Sequence, residues 1–134
     1  MTLAPHHKPA KKGRKKAEIL GRRAEGLAAL YLKLKGYRII ARRYRSPVGE
    51  IDLIARHHNS LVFIEVKARK TLTSGLEAVP PRQQQRLMRG ALHFIMRHPH
   101  EAHLPLRFDV IIIRPFKLPK HLIHAFEGAK PGQF

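Results

Sequence analysis

The chain has 134 residues, 43% of them apolar, which fits one domain with its own hydrophobic core and excludes global disorder. The absence of cysteine excludes disulfides and thiolate metal sites and suits a reducing cytoplasm. No apolar run approaches the ~18 residues of a membrane span, and the basic N-terminus has no apolar segment of the secretory kind behind it. Lysine and arginine number 27 against 9 acids, a net charge of +18. That excess calls for a polyanion, and nucleic acid is the expected partner, with an anionic membrane surface or the ribosome as alternatives.

Residues 1–14 combine Pro5, Pro9 and Gly13 with lysines and arginine and read as a flexible basic arm. A single domain is expected over 15–128, with 129–134 as a tail. From about Lys16 the pattern is helical. Leu20, Ala24, Leu27, Ala28, Tyr31 and Leu34 form one apolar stripe, and Gly36 stands where a C-terminal cap belongs. Three strand-like segments follow: "YRIIARRY" (37–44), "EIDLIA" (50–55) and "LVFIEVKA" (61–68), separated by turn signals at Ser46–Gly49 and in "RHHNS". Pro80-Pro81 can open a second helix whose core stripe would be Leu87, Met88, Ala91, Leu92 and Ile95. "RFDVIIIR" (107–114) reads as a strand buried on both faces, and "KHLIHAFEG" as a short edge strand. The order α-β-β-β-α-β, with a final strand, predicts an α/β fold: one mixed sheet flanked by helices, its last main strand reached by a helical crossover.

Three of the nine acids, Glu50, Asp52 and Glu65, lie inside two otherwise apolar strands. With the hairpin centred between His58 and Asn59, Asp52 faces Glu65, Glu50 faces Lys67, and all four side chains point to one side. Like charges ~5 Å apart in a half-buried setting are destabilising, and a divalent cation between them relieves this. An odd-length turn would shift the register and turn Asp52 away. Glu-x-Lys alone is also what an exposed, ion-paired strand looks like. Here Leu61 and Phe63 share the face of Glu65, as a cleft floor would require. Glu25 lies at the margin of the first helix's apolar stripe, where it is either a third acid of the site or an ordinary surface residue.

"AEGLAALYLKLKGY" (24–37), "GEIDLIA" (49–55), "LVFIEVKAR" (61–69), Gly75 with Val79, and "RFDVIII" (107–113) resemble the YraN-like family of predicted endonucleases. That family belongs to the PD-(D/E)XK nuclease superfamily, with its restriction-endonuclease-like core, and resembles archaeal Holliday junction resolvases. The resemblance implies that Asp52, Glu65 and the Val66 carbonyl hold Mg²⁺ or Mn²⁺, with Glu25 approaching from the helix, directly or through water. It implies that Lys67 orients or deprotonates the attacking water and offsets developing charge; among carboxylates its charged form is favoured, which suits electrostatic stabilisation. Glu50 has no role in the superfamily pattern. Arg43 and Arg82 stand where relatives usually carry Asn and Lys.

Arg69, Arg82, Arg86 and Arg89, with Gln83 to Gln85, and separately Arg42, Arg43 and Arg45, are candidates for phosphate-backbone contacts. His98, His100 and His103 crowd a proline-containing loop that gives no fixed metal geometry. Asp109, within a buried strand, requires a partner, and an arginine suits it better than a catalytic role. The expected function is a metal-dependent endonuclease acting on DNA, with branched or flapped structures as candidate substrates. A homodimer is compatible with that reading, because junction resolvases act as symmetric pairs. The alternative is a non-catalytic nucleic-acid-binding module on the same fold.

Overall fold

A two-residue turn, His58-Asn59, joins β2 (Gly49–His57) to β3 (Ser60–Ala68), and His58 adopts the φ of 52° that a tight hairpin turn demands. The computed structural model describes residues 11–72 and 79–127. From that turn the antiparallel ladder runs from His57↔Ser60 to Leu53↔Ile64, which is the register the sequence predicts. Before β2 comes β1 (Arg38–Ser46), paired antiparallel with it. On the other side of β3, β4 (Leu106–Ile113) runs parallel, and β5 (Lys120–Phe126) closes the sheet antiparallel to β4. The five strands lie in chain order across one mixed sheet. The parallel β3–β4 step is made through helix α2 (Pro81–Arg97), because two parallel neighbours cannot be joined by a tight turn. This is the helix-flanked mixed sheet of a restriction-endonuclease-like core.

Helix α1 (Lys11–Leu34) covers one face of the sheet, packing Ala28, Ala29 and Leu32 on Leu53, Ala55, Val62, Ile64 and Ile111. It ends where Gly36 (φ 91°) lets the Tyr37 N–H reach the Leu32 carbonyl (2.9 Å) and its own N–H reach that of Lys33 (3.0 Å). The expected apolar stripe is corrected here. Ala24, Ala28, Ala29 and Leu32 are buried, whereas Leu20, Leu27 and Leu34 are 59%, 52% and 79% exposed. Alanines bring the helix axis close to the sheet, so the narrow stripe faces inward and the leucines point out. The helix also begins at Lys11, five residues before the expected start, and so takes in the end of the expected basic arm. Residues 1–10 of that arm, Gly75 and the tail 129–134 lie outside the described residues.

Helix α2 covers the other face, with Leu87, Ala91 and Phe94 against Ile51, Ile54, Leu61, Phe63 and Phe108. Phe94 does the work expected of Leu92 and Ile95, which are half-buried. Its approach depends on two glycines. A Cβ at Gly49 would collide with the Arg86 carbonyl, and one at Gly90 would lie 3.2 Å from Ile51 Cδ1. Among the described residues no helix is long and apolar enough to cross a membrane.

Candidate active site

The β2–β3 ladder stops at Leu53↔Ile64, one residue short of the acids. Val66 then donates its N–H to Asp52 Oδ2 (2.8 Å) rather than to the neighbouring strand. Ile51 and Ile54 both pack towards α2 while Leu53 packs towards α1, so the strand's alternation slips at Asp52. Arg43 of β1, between the pairs Arg42↔Leu53 and Tyr44↔Ile51, takes a positive φ of 52° at the same level. The two strands thus part where the carboxylates lie, and the Asp52 carboxyl fills the opening and binds the backbone that the ladder has released.

The Asp52 and Glu65 side chains line one cavity and act on each other, although the paired register ends one residue before them. Burial pushes the Asp52 carboxyl up to about 7, and the nearby Glu65 adds to the shift against the Val66 N–H. Burial raises Glu65 as well, with Lys67 pulling it back. One Glu65 oxygen, Oε1, takes both Lys67 Nζ (3.1 Å) and Gln83 Nε2 (2.8 Å), the latter from the first turns of α2. Lys67 is therefore the partner of Glu65, and the expected Glu50–Lys67 pair does not form. Glu50 is exposed, because β2 has left the ladder before its position and no longer lies opposite residue 67. Glu25 is buried on α1 and accepts a hydrogen bond from Arg43 Nε at its Oε2 (2.7 Å). Arg43 thus engages an acid of the site through Nε while its side chain lines the α1-side cavity.

Three cavities meet here. The innermost is lined by Glu50, Asp52, Glu65, Gln83, Arg86 and Leu87. A second, on the α1 side, is lined by Glu25, Arg43, Arg45, Glu50, Ile51 and Asp52. The third is a trough of about 940 Å³ between the Ser46–Gly49 turn and α2, where Arg82, Arg86 and Arg89 line one wall. Glu50 borders all three, and Asp52 stands between the first two. Arg86 and Arg45 each line a cavity that also holds Asp52, and Arg82 lines the trough beside Glu50. Arg69 is turned back, donating Nη1 to the Ala68 carbonyl (2.8 Å).

Among the described residues no three His, Asp or Glu side chains converge as a metal cluster. The donors present still fit a hard cation. Mg²⁺ is held through one or two carboxylates together with water and substrate phosphate, and the paired Asp52 and Glu65, beside the Val66 peptide, supply oxygen donors of that kind. Burial first and Glu65 next raise the Asp52 carboxyl, and a cation held between the two acids would favour their charged forms. Sequence reasoning missed the anchoring of Glu65 by Gln83, because three successive glutamines give no sign of which one faces the sheet. It also missed the Gly49–Gly90 contact, for which two isolated glycines were the only signal.

The family described as "Uncharacterised protein family UPF0102" matches residues 24–113, which contain every acid of the site. A UPF0102 protein of Rhodopseudomonas palustris (strain BisB18) is 54% identical over 79% of this chain and 78% of its own length. One from Parvibaculum lavamentivorans is 53% identical over 80% of each chain. One from Bradyrhizobium sp. (strain BTAi1) is 49% identical over 96% of this chain and 94% of its own.

Proposed function

The chain belongs to the UPF0102 family, the YraN-like group, and from that premise and the site's geometry we propose that it is a metal-dependent nuclease that hydrolyses phosphodiester bonds in DNA. The observation that carries this reading is the pairing of half-buried Asp52 with buried Glu65, accompanied by Lys67 and bordered by Glu50, which also lines the arginine-walled trough. Asp52, Glu65 and the Val66 carbonyl would hold Mg²⁺ or Mn²⁺. When bound, the ion supplies Lewis acidity towards a phosphoryl oxygen and water.

The chain's own residues do the rest. Gln83 and Lys67 fix the Glu65 carboxylate from two directions, which leaves its other oxygen for the ion. The Val66 N–H fixes Asp52 in the same way. Lys67 Nζ, 13% exposed as a side chain, presents positive charge where negative charge develops on the phosphate, and in this shielded setting that charge acts more strongly than in water. Arg82, Arg86 and Arg89 hold flanking phosphates along the trough. Branched or flapped DNA is the substrate class proposed, with one arm lying in the trough beside the Ser46–Gly49 turn.

Cleavage of labelled linear, flapped and four-way-junction DNA in Mg²⁺ or Mn²⁺ tests the proposal. Asp52→Asn and Glu65→Gln are each expected to lower the cleavage rate by at least ~10²-fold while binding persists, since charge stabilisation of this kind is worth that much. Cleavage equal to wild type in the purified double variant would falsify it. One observation favours a second reading, a binding module without catalysis: Lys67 and Gln83 already satisfy Glu65 without a cation. Binding with no cleavage in either metal, and no Asp52-dependent metal site, supports that reading.

A further inference from the structure

Arg43 is the residue of β1 that stands opposite Asp52, since its neighbours pair as Arg42↔Leu53 and Tyr44↔Ile51. A regular strand sends consecutive side chains to opposite faces of the sheet. Here the Arg42 guanidinium lies against Gly26 of α1, 3.7 Å from the place of a Cβ there, and Tyr44 packs towards α2. Arg43 turns to the α1 face as Arg42 does, and its left-handed backbone, with φ at 52°, is what re-aims it. An arginine gains nothing from such a backbone by itself, so the strain points to a use for the side chain.

The guanidinium is held at one corner. Nε donates to Glu25 Oε2 at 2.7 Å, while Nη1 and Nη2 make no hydrogen bond among the described residues. The Arg43 side chain is 33% exposed and that of Glu25 only 12%, so the acid is covered and the arginine is within reach of a ligand. Both line the α1-side cavity together with Asp52. Glu25 is not among the residues lining the inner cavity that Asp52 shares with Glu65. The acid of the helix therefore touches Arg43 and stands apart from the donor pair. A bare guanidinium beside Asp52 would oppose a divalent cation there. Paired with Glu25 it adds no net charge, yet its outer N–H groups keep the planar fork that matches phosphate oxygens.

We propose that Arg43 is a phosphate-binding residue of the site and that Glu25 is its positioning residue, which holds the guanidinium through Nε and is not a ligand of the ion. The phosphate is that of a nucleic-acid strand, an identity that rests on the proposed nuclease reading.

The first measurement is duplex binding in EDTA, which needs neither metal nor cleavage. A labelled DNA duplex is titrated over a range of salt with wild type, Arg43→Gln, Glu25→Ala and the double variant. Arg43→Gln is expected to weaken binding about tenfold, with a salt slope shallower by about 1. Glu25→Ala should show the same loss, although it takes an acid from a basic chain and bulk charge alone predicts tighter binding. The double variant should be no weaker than either single one, because both act through one contact. Glu25→Gln keeps an oxygen within reach of Nε and should bind nearly as wild type does. Arg43→Lys keeps the charge without the fork and should lose as much as Arg43→Gln. Should melting show that Glu25→Ala is unfolded, Glu25→Gln and Arg43→Lys carry the comparison. Wild-type or tighter binding by folded Glu25→Ala overturns the proposal, as do wild-type binding by Arg43→Lys and additive losses in the double variant.

The second measurement is calorimetric titration of Mn²⁺ without DNA. The double variant has the net charge of wild type and is expected to bind Mn²⁺ with unchanged affinity, whereas Asp52→Asn should lose binding. A loss in the double variant as large as that of Asp52→Asn makes Glu25 a ligand of the ion and overturns the proposal. Wild type that binds no Mn²⁺ but gives the expected duplex result leaves Arg43 and Glu25 in these roles, and it is the nuclease reading that fails.

Discussion

Two carboxyls that share a half-buried opening compete for one proton, and a cation must displace that proton in order to bind. Asp52 is raised to about 7, by burial first and by Glu65 next. Metal affinity is therefore expected to be weak below pH 7, to rise as pH passes through about 7, and to level off above it. Calorimetric titration of Mn²⁺ at about pH 6 and about pH 8 checks this. The affinity should increase by about tenfold or more at the higher pH, with protons released at the lower. In the absence of metal the sign for stability is opposite. A carboxyl whose folded value is raised stabilises the fold fully only below its ordinary range and loses that contribution as pH rises through about 7. The two-residue turn made the register legible as far as Leu53↔Ile64, which brings Asp52 and Glu65 to the same level, although the ladder itself ends just before them. Glu50 was misplaced because the register stops applying where the strand leaves its ladder. No local pattern marks that point in advance.

At the scale of elements, the site depends on how closely α2 lies on the start of β2. Gln83 reaches Glu65 and Arg86 reaches the inner cavity because backbone meets backbone at Gly49. Gly49→Ala puts a methyl group into the Arg86 carbonyl and must lift the first turns of α2. The expected cost is about 1–3 kcal/mol of stability, as for overpacking in a core. A loss of cleavage larger than that of Gln83→Ala should accompany it, because both Gln83 and Arg86 move. Chemical denaturation and single-turnover rates on the two variants check this. Both helices were legible in the sequence from their period and caps, but the inward side of α1 was not. Periodicity locates an apolar stripe. It does not reveal that small alanines beside that stripe permit a closer approach than leucines do.

Across the whole molecule, Asp109 ties the two ends of the described fold together. Arg107 donates Nε and Nη2 to its two oxygens (2.9 and 2.8 Å), His121 Nε2 lies 2.7 Å from Oδ2, and the His124 N–H donates to Oδ1 (2.9 Å). Arg107 also reaches the Tyr37 hydroxyl beyond the end of α1. Burial alone would raise Asp109, yet the hydrogen bonds from His121, Arg107 and His124 outweigh it and hold the carboxyl below its ordinary range. A depressed carboxylate stabilises the fold above its ordinary range, and that contribution is lost as pH falls through the folded value. Asp109→Ala should cost about 3 kcal/mol at neutral pH, because it removes the buried carboxylate shared by half-buried Arg107, His121 and the His124 N–H, and should flatten the acid limb of a stability–pH profile measured by urea denaturation. The arginine partner was foreseeable from a buried acid. The histidines of β5 were not, since they depend on an edge strand whose pairing the sequence leaves open.

The parting of β2 from β3 has a spectroscopic consequence. The Val66 amide proton points at a carboxylate oxygen, so its chemical shift and its exchange with solvent deuterium should follow the charge on Asp52. A single backbone resonance, 14 residues away in sequence from the acid that governs it, thus becomes an internal indicator of whether the opening holds a proton or a metal ion.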